Sequence, residues 1–299
     1  MSVLILACLS VTPFSADKVE IVKESGVSII HLIGNVVIED AQTRIECEVA
    51  RLYESEDYVE LKDNVVISDK DGSIAADHAY YYFSDKKGYL GGAVRLVSED
   101  QVITADSLFY NGMEQYVDME RNVVIEDTKN NMLGYGDRGW YDLREDIGHL
   151  ILSPRIELIR EGKEPIQIRA MQFVLHAKED MFYGYDSVVA NIDSINVYCD
   201  TFAFDLSSDK GTMIVPHVIE GKNTLKGETG QFVMKDEQLE VFSVHKGASE
   251  YHSEVGNINN VEGDTISIFF ENSKAVKIIV DGNPNGVLQL KRGSGDTED

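Results

Sequence analysis

Little in this chain breaks or cross-links a backbone. Its 299 residues include 5 Pro, 3 Cys and 1 Trp, and 27 Lys and Arg stand against 52 Asp and Glu. Each scarcity excludes something. With so little proline and 43% apolar residues, the composition is not that of a disordered or proline-rich polymer. A net charge of −25 with no basic cluster argues against nucleic-acid binding, which neutralises phosphates with Lys and Arg. It argues equally against polybasic attachment to an anionic lipid surface. No segment is apolar for long enough to cross a bilayer as a helix. No Gly-x-Ser-x-Gly elbow is present, and His31, His78, His149, His176, His217, His245 and His252 are scattered without metal-ligand spacing. Gly88, Gly91 and Gly92 precede no helical pattern, so they read as turn and bulge glycines, not a phosphate cradle. The expectation is a protein that is not an enzyme, with no cofactor and no metal.

What the chain does have is a phrase that returns. Gly34-Asn35-Val36-Val37-Ile38 is followed by Asp63-Asn64-Val65-Val66-Ile67, Gly92-Ala93-Val94-Arg95-Leu96 and Arg121-Asn122-Val123-Val124-Ile125, each 29 positions after the last. Between them a second phrase keeps the same step: Ile45-Glu46-Cys47-Glu48, Ile74-Ala75-Ala76-Asp77 and Ile103-Thr104-Ala105-Asp106. Two phrases locked to one interval imply one structural unit stacked on copies of itself. The units are rich in Val, Ile and Tyr at alternating positions and are punctuated by Gly, Asn and Asp, which predicts β-strands.

Comparing the copies separates the faces of these strands. Val36/Ile38, Val65/Ile67, Val94/Leu96 and Val123/Ile125 are always apolar, whereas the residue between them is Val37, Val66, Arg95 or Val124. Ile45, Ile74 and Ile103 behave like the first set. These residues point inward. Past the acidic residue the apolar positions become Ala50/Leu52, Ala79/Tyr81 and Leu108/Tyr110, a slip of one residue. Such a slip turns every side chain to the other face unless a bulge or corner intervenes. A bend is therefore expected at Glu48, Asp77 and Asp106, with the carboxylate accepting local backbone hydrogen bonds. Asp137 and Asp200 fit the same corner, and acids that recur with the scaffold are scaffold, not an acid–base pair. Pro154 and Pro216 fall near where Asn is expected, and neither can donate to a ladder. Tyr81 is expected inside, with Tyr80 and Tyr82 outside.

Met1 to Ala16 resembles a secretory signal peptide, an apolar run too short to span a bilayer followed by small residues. A lipid-modified Cys8 is the alternative. Residues 17–290 read as one continuous repeat domain and 291–299 as a disordered tail, with a turn at Asn272-Ser273-Lys274 before the last strand. Cys47 and Cys199 both precede an acid. In equivalent registers five units apart they would be separated by roughly 50 Å, at ~4.8 Å per strand, far beyond disulfide reach. Both are expected to be unpaired and buried.

The Gly-Asn-Val-x-Ile phrases, Ile74-Ala75-Ala76-Asp77-His78-Ala79-Tyr80-Tyr81, its looser match at Ile103–Tyr110, and Gly263-Asp264-Thr265-Ile266-Ser267-Ile268 through Val280-Asp281-Gly282-Asn283 together resemble the OstA/LptA-like family of lipopolysaccharide-transport proteins. The resemblance is good over 30–145, patchy over 146–250, and returns at the end. It implies an all-β fold: an elongated antiparallel β-jellyroll (a β-taco) of repeats of about 29 residues, open along one side. It also implies a periplasmic, non-enzymatic carrier whose interior holds lipopolysaccharide acyl chains. Partners would be other lipopolysaccharide-transport proteins, joined by edge-strand addition, or further copies head to tail. The lining candidates are Val36, Ile38, Ile45, Val65, Ile67, Ile74, Val94, Leu96, Ile103, Val123 and Ile125. The alternative is a structural envelope scaffold of the same strands with a closed core and no lipid.

Overall fold

A computed structural model describes residues 13–24, 26–39, 43–53, 55–253, 255–271 and 274–291. Most of the expected leader, including Cys8, the turn residues Asn272 and Ser273, and the tail from 292 onward lie outside the described residues. Within them the protein is antiparallel β throughout, with a single 3-10 turn at Ala177–Glu179 and no α-helix. Two compact units are formed, Met1–Ile156 with His176–Lys178, and Glu157–Leu175 with Glu179–Asp299.

The first unit contains β1 (Phe14–Ser15), β2 (Lys18–Glu24), β3 (Val27–Glu39), β4 (Arg44–Tyr53), β5 (Tyr58–Ser68), β6 (Gly72–Tyr82), β7 (Lys87–Ser98), β8 (Gln101–Asn111), β9 (Tyr116–Asp127), β10 (Met132–Asp142) and β11 (Ile147–Ile151). From β2 onward each strand pairs with the next, and β1 pairs with the far half of β3. Local chemistry makes this meander. Several turns end on a residue in the left-handed region: Asp57 (φ 56), Lys86 (φ 50), Gln115 (φ 55) and Asp146 (φ 63). The residue before the turn often caps it. Asn111 Oδ1 accepts from the backbone N–H of Met113 and Glu114, both at 3.2 Å, and Asp142 Oδ1 accepts from Arg144 at 2.9 Å and Glu145 at 3.1 Å. Asn and Asp are suited to both tasks.

Nearly every long strand of this unit is interrupted once near its middle. Pairing breaks between Lys62 and Val65, Ala75 and His78, Gly91 and Val94, and Thr104 and Ser107. Two consecutive left-handed residues occupy the break on alternate strands: Gly34-Asn35, Asp63-Asn64, Gly92-Ala93 and Arg121-Asn122. The intervening strands carry Cys47-Glu48, Ala76-Asp77 and Ala105-Asp106 there. The bend thus lies at the acidic residue, and at Asp106 the carboxylate engages the neighbouring strand rather than the local backbone. Asn35 Nδ2 donates to Asp17 Oδ2 (2.8 Å) and Asn122 Nδ2 to Asp106 Oδ1 (3.1 Å), and Asn283 Nδ2 repeats the contact with Asp264 Oδ2 (2.9 Å) in the second unit. Asn tolerates the left-handed region and supplies the donor. Between β8 and β9 the two repeated phrases are therefore halves of one cross-strand clasp.

The bends divide the first unit into two limbs. Limb A comprises 29–33, 49–53, 58–62, 78–82, 87–91, 107–111 and 116–120. Limb B comprises 36–39, 44–47, 65–68, 73–76, 94–97, 102–105 and 123–127. Because the chain slips by one residue at each bend, the apolar face of both limbs turns to the same interior.

The second unit begins at β12 (Arg155–Leu158), whose first residues are shared with the first. It continues through β13 (Ile166–Arg169), β14 (Gln172–His176), β15 (Met181–Ile192), β16 (Ile195–Asp205), β17 (Lys210–Ile214), β18 (His217–Glu220), β19 (Asn223–Lys226), β20 (Thr229–Lys235), β21 (Gln238–His252), β22 (Ile258–Glu271), β23 (Lys274–Asp281) and β24 (Asn285–Gln289). Here short strands replace bent ones: β17 and β18 both pair with β16, β20 and β19 with β21, and β23 and β24 with β22. Pro216 sits between β17 and β18, and Pro154 just before β12, where a residue without an N–H ends a ladder. The core is aromatic, with Phe182 wholly buried against Phe202 and Phe204, and Phe204 stacked on Phe232 at 5.6 Å. Arg160, buried, donates to Asp193 Oδ1 at 2.8 Å and to the Glu164 carbonyl, which compensates its charge.

Candidate functional site

The register brings the apolar phrases of the first unit into lines. Ile38, Ile45, Ile67, Ile74, Leu96, Ile103 and Ile125 stand opposite one another on consecutive strands, forming one ladder across limb B from β3 to β9. Beside it run Val36 opposite Cys47, Val65 opposite Ala76, Val94 opposite Ala105 and Val123 opposite Gly136. Of the eleven residues expected inside, nine are buried, and Ile38 and Ile125 are half-buried. All eleven therefore share one wall.

The opposite wall is limb A, and none of its residues figured among the lining candidates. Ala50, Leu61, Ala79, Leu90, Leu108 and Met119 form its ladder, all buried. Their signal was present in the sequence as the apolar Ala79/Tyr81 and Leu108/Tyr110 positions after the acid. The walls meet around a cavity of about 40 Å³ lined by Ile67, Ile74 and Leu96 on limb B and by Leu61, Ala79, Tyr80, Tyr81, Gly88, Leu90, Leu108, Tyr110 and Val117 on limb A, so that Tyr80, expected outside, also contributes to the lining. That volume holds a few waters at most, at roughly 10–15 Å³ each, and the lining is almost wholly apolar. The arrangement can bury hydrocarbon, and it places no acid, base or nucleophile against the cavity.

The remaining candidates resolve into structure. Tyr81 faces inward, while Tyr82 is 45% exposed on the outer face, where Tyr53, Tyr58 and Tyr82 stack in turn at 4.4 and 5.3 Å. Both faces of the Tyr58 ring are thereby covered. Among the described residues no group of three or more His, Cys, Asp or Glu side chains is disposed to hold a metal, and no helix is long and apolar enough to cross a membrane.

Cys47 and Cys199 are free and buried in separate units. Desolvation pushes their thiols up from near 9.0 to about 11 and about 12, with the neighbouring Glu48 and Asp200 adding to the rise. A raised folded-state value favours the neutral form. This contribution to stability is present below pH 9 and is lost as pH rises through 11 to 12. Since only the thiolate reacts, alkylation at pH 8 is expected to be slower in the folded chain than in denaturant by on the order of 100-fold at Cys47 and 1,000-fold at Cys199. Peptide mass spectrometry of timed iodoacetamide reactions measures this. Equal rates in the two states would contradict the buried placement.

Comparison with known proteins agrees with the first unit. Residues 10–108 and, overlapping them, 60–153 match the OstA-like protein family. No curated protein matches the sequence. Among solved structures, LptH of Pseudomonas aeruginosa, described as the LptA-homologous periplasmic component of the conserved lipopolysaccharide transport device, aligns with a TM-score of 0.23 at 13% identity, over 49% of this chain and 85% of LptH. Over residues 10–153, just under half of the whole, the chain resembles the OstA-like protein family.

Proposed function

We propose that this protein is a non-enzymatic lipid carrier of the periplasm, acting in the transport of lipopolysaccharide toward the outer membrane. The observation that carries the reading is the pair of facing apolar ladders in the first unit, in the part of the chain that matches the OstA-like family. An acyl chain between the limbs would be driven by apolar burial, at about 25 cal/mol per Å², once the walls part. The acidic surface favours recognition by acyl chains, or cation-mediated contact with head groups, over direct gripping of lipid phosphates.

Edge strands supply a route to partners. Among the described residues β2 pairs only with β3, and Val19 and Ile21 on it are exposed, Ile21 by 72%. At the other end of the chain β23 and β24 pair only with β22 and expose Val276, Val287 and Leu288. Unpaired backbone groups beside exposed apolar side chains suit strand addition by another transport protein or a second copy.

The test is expression in a host with an outer membrane, purification without detergent, and mass spectrometry for lipid A, with a photo-crosslinking residue at Ile67 or Ile103. Lipid A in the preparation and crosslinked at either position is the expected result. Absence of both would sink the proposal. The small cavity favours one other reading, a structural envelope scaffold with a closed core, and that same negative result would select it.

A further inference from the structure

One inner-face row of limb A has a gap in it. On consecutive strands from β5 to β9 the row reads Val59, Tyr81, Gly88, Tyr110 and Val117. Gly88 is not in the left-handed region, so its backbone places no demand for glycine. Space does. A Cβ at Gly88 would stand 3.3 Å from Tyr81 Cδ2 and 3.9 Å from Tyr110 Cβ. The glycine therefore leaves a bare strip of backbone beside Tyr110 on which the edge of the Tyr81 ring rests as a cover, where Val59 and Val117 fill the row on either side. All three central residues also line the 40 Å³ cavity, whose far side is Ile67, Ile74 and Leu96.

Tyr110 adds polarity at the rim. Its hydroxyl reaches the turn after β8, where a Cβ on Gly112 would lie 2.7 Å from Oη. The hydroxyl makes no hydrogen bond to any described residue, and burial alone raises its pKa. A ring in the apolar interior with its hydroxyl at the edge is the arrangement tyrosine adopts at an apolar–polar boundary.

We infer that an acyl chain enters the interior of the first unit between Tyr81 and Tyr110, over Gly88, with Tyr110 Oη–H donating to the ester or amide carbonyl that joins the chain to its lipid. This rests on the carrier reading and adds where the lipid enters and which residues govern entry. Tyr81 is the cover of the port, Tyr110 its side and Gly88 its floor, and the carbonyl marks how deep the lipid penetrates.

The experiment uses the full chain with a photo-crosslinking residue at Ile67 and phosphatidylethanolamine vesicles doped with lipid A, and follows the rate of lipid A capture. Gly88→Leu fills the port and is expected to slow capture at least tenfold. Tyr81→Ala widens it and is expected to speed capture severalfold. Tyr110→Phe removes one neutral hydrogen bond and is expected to lower capture at equilibrium by about three- to tenfold. Effects of opposite sign cannot both come from misfolding, and urea unfolding followed at Trp140 checks each variant. If Gly88→Leu fails to fold, Tyr81→Ala and Tyr110→Phe decide. Capture by the unaltered chain together with unchanged capture in the folded variants overturns the port and leaves the carrier reading standing. No capture by the unaltered chain overturns both.

Discussion

Val65→Asp is expected to unfold the first unit. Val65 has no exposed surface, sits where β5 resumes after its bend, and faces Ala76 inside limb B. An aspartate there has no cation to meet, and the small Ala76 and Val36 of the same wall offer no donor. The cost is about 4 kcal/mol or more, in the range reserved for burying an unpaired charge. Val65→Ala removes only packing and should cost about 2 kcal/mol. The only tryptophan, Trp140, lies in the first unit, so urea titration followed by its fluorescence reads that unit. Acid gives a second check. Burial raises the folded-state pKa of the new carboxyl above its unfolded value. The penalty should therefore shrink as pH falls, by up to ~1.4 kcal/mol per pH unit. A midpoint for Val65→Asp equal to that of Val65→Ala would mean that position 65 is open to water.

Gly92→Val is expected to cost about 3 kcal/mol through the backbone and through one acid. Gly92 has φ +76, and a Cβ there would lie 2.2 Å from Asp77 Oδ2 and 2.7 Å from Asp77 Cβ. Valine is branched where the left-handed region is least forgiving. Gly92→Asn should cost about 1 kcal/mol less than Gly92→Val, because Asn tolerates that region although its Cβ meets Asp77 as well. The same register position holds Asp63 (φ 59) and Arg121 (φ 61), so a side chain can be housed when the partner acid adapts. Asp106 does so by accepting from Arg121 Nε at 3.3 Å. Combining Gly92→Val with Asp77→Ala should recover little, since alanine keeps the Cβ that clashes. Full recovery in the double variant, measured by the same titration, would show that the carboxylate alone sets the cost.

Much of the first unit was legible because its determinants are local. Alternation assigned the inward face of Val65/Ile67 and Ile74, and the one-residue slip located the bend at Asp77 and Asp106. The role of the acid was only half legible at Asp106, and Asp17 was not read as one of the set. Asp17 and Asn35 are 18 residues apart, and Asp106 and Asn122 are 16 apart, so their pairing exists only once neighbouring strands are in register. Limb A was missed as a wall for the same reason. Leu61, Leu90 and Leu108 are ordinary strand leucines until the bends turn them toward Ile67 and Leu96. In the second unit the phrases fade because Pro216 and the split pairs β17/β18 and β23/β24 replace continuous bent strands.

The sequence by itself determined the all-β character, the interval of the bends, and which side of each strand is apolar. These follow from side-chain alternation and from Gly, Asn and Asp at fixed places, each felt within a few residues. The tertiary structure alone decided that two apolar walls face each other, that they meet around only about 40 Å³, and that the Tyr81 ring covers a bare Gly88 beside Tyr110. Those depend on distances between strands, which no local pattern encodes.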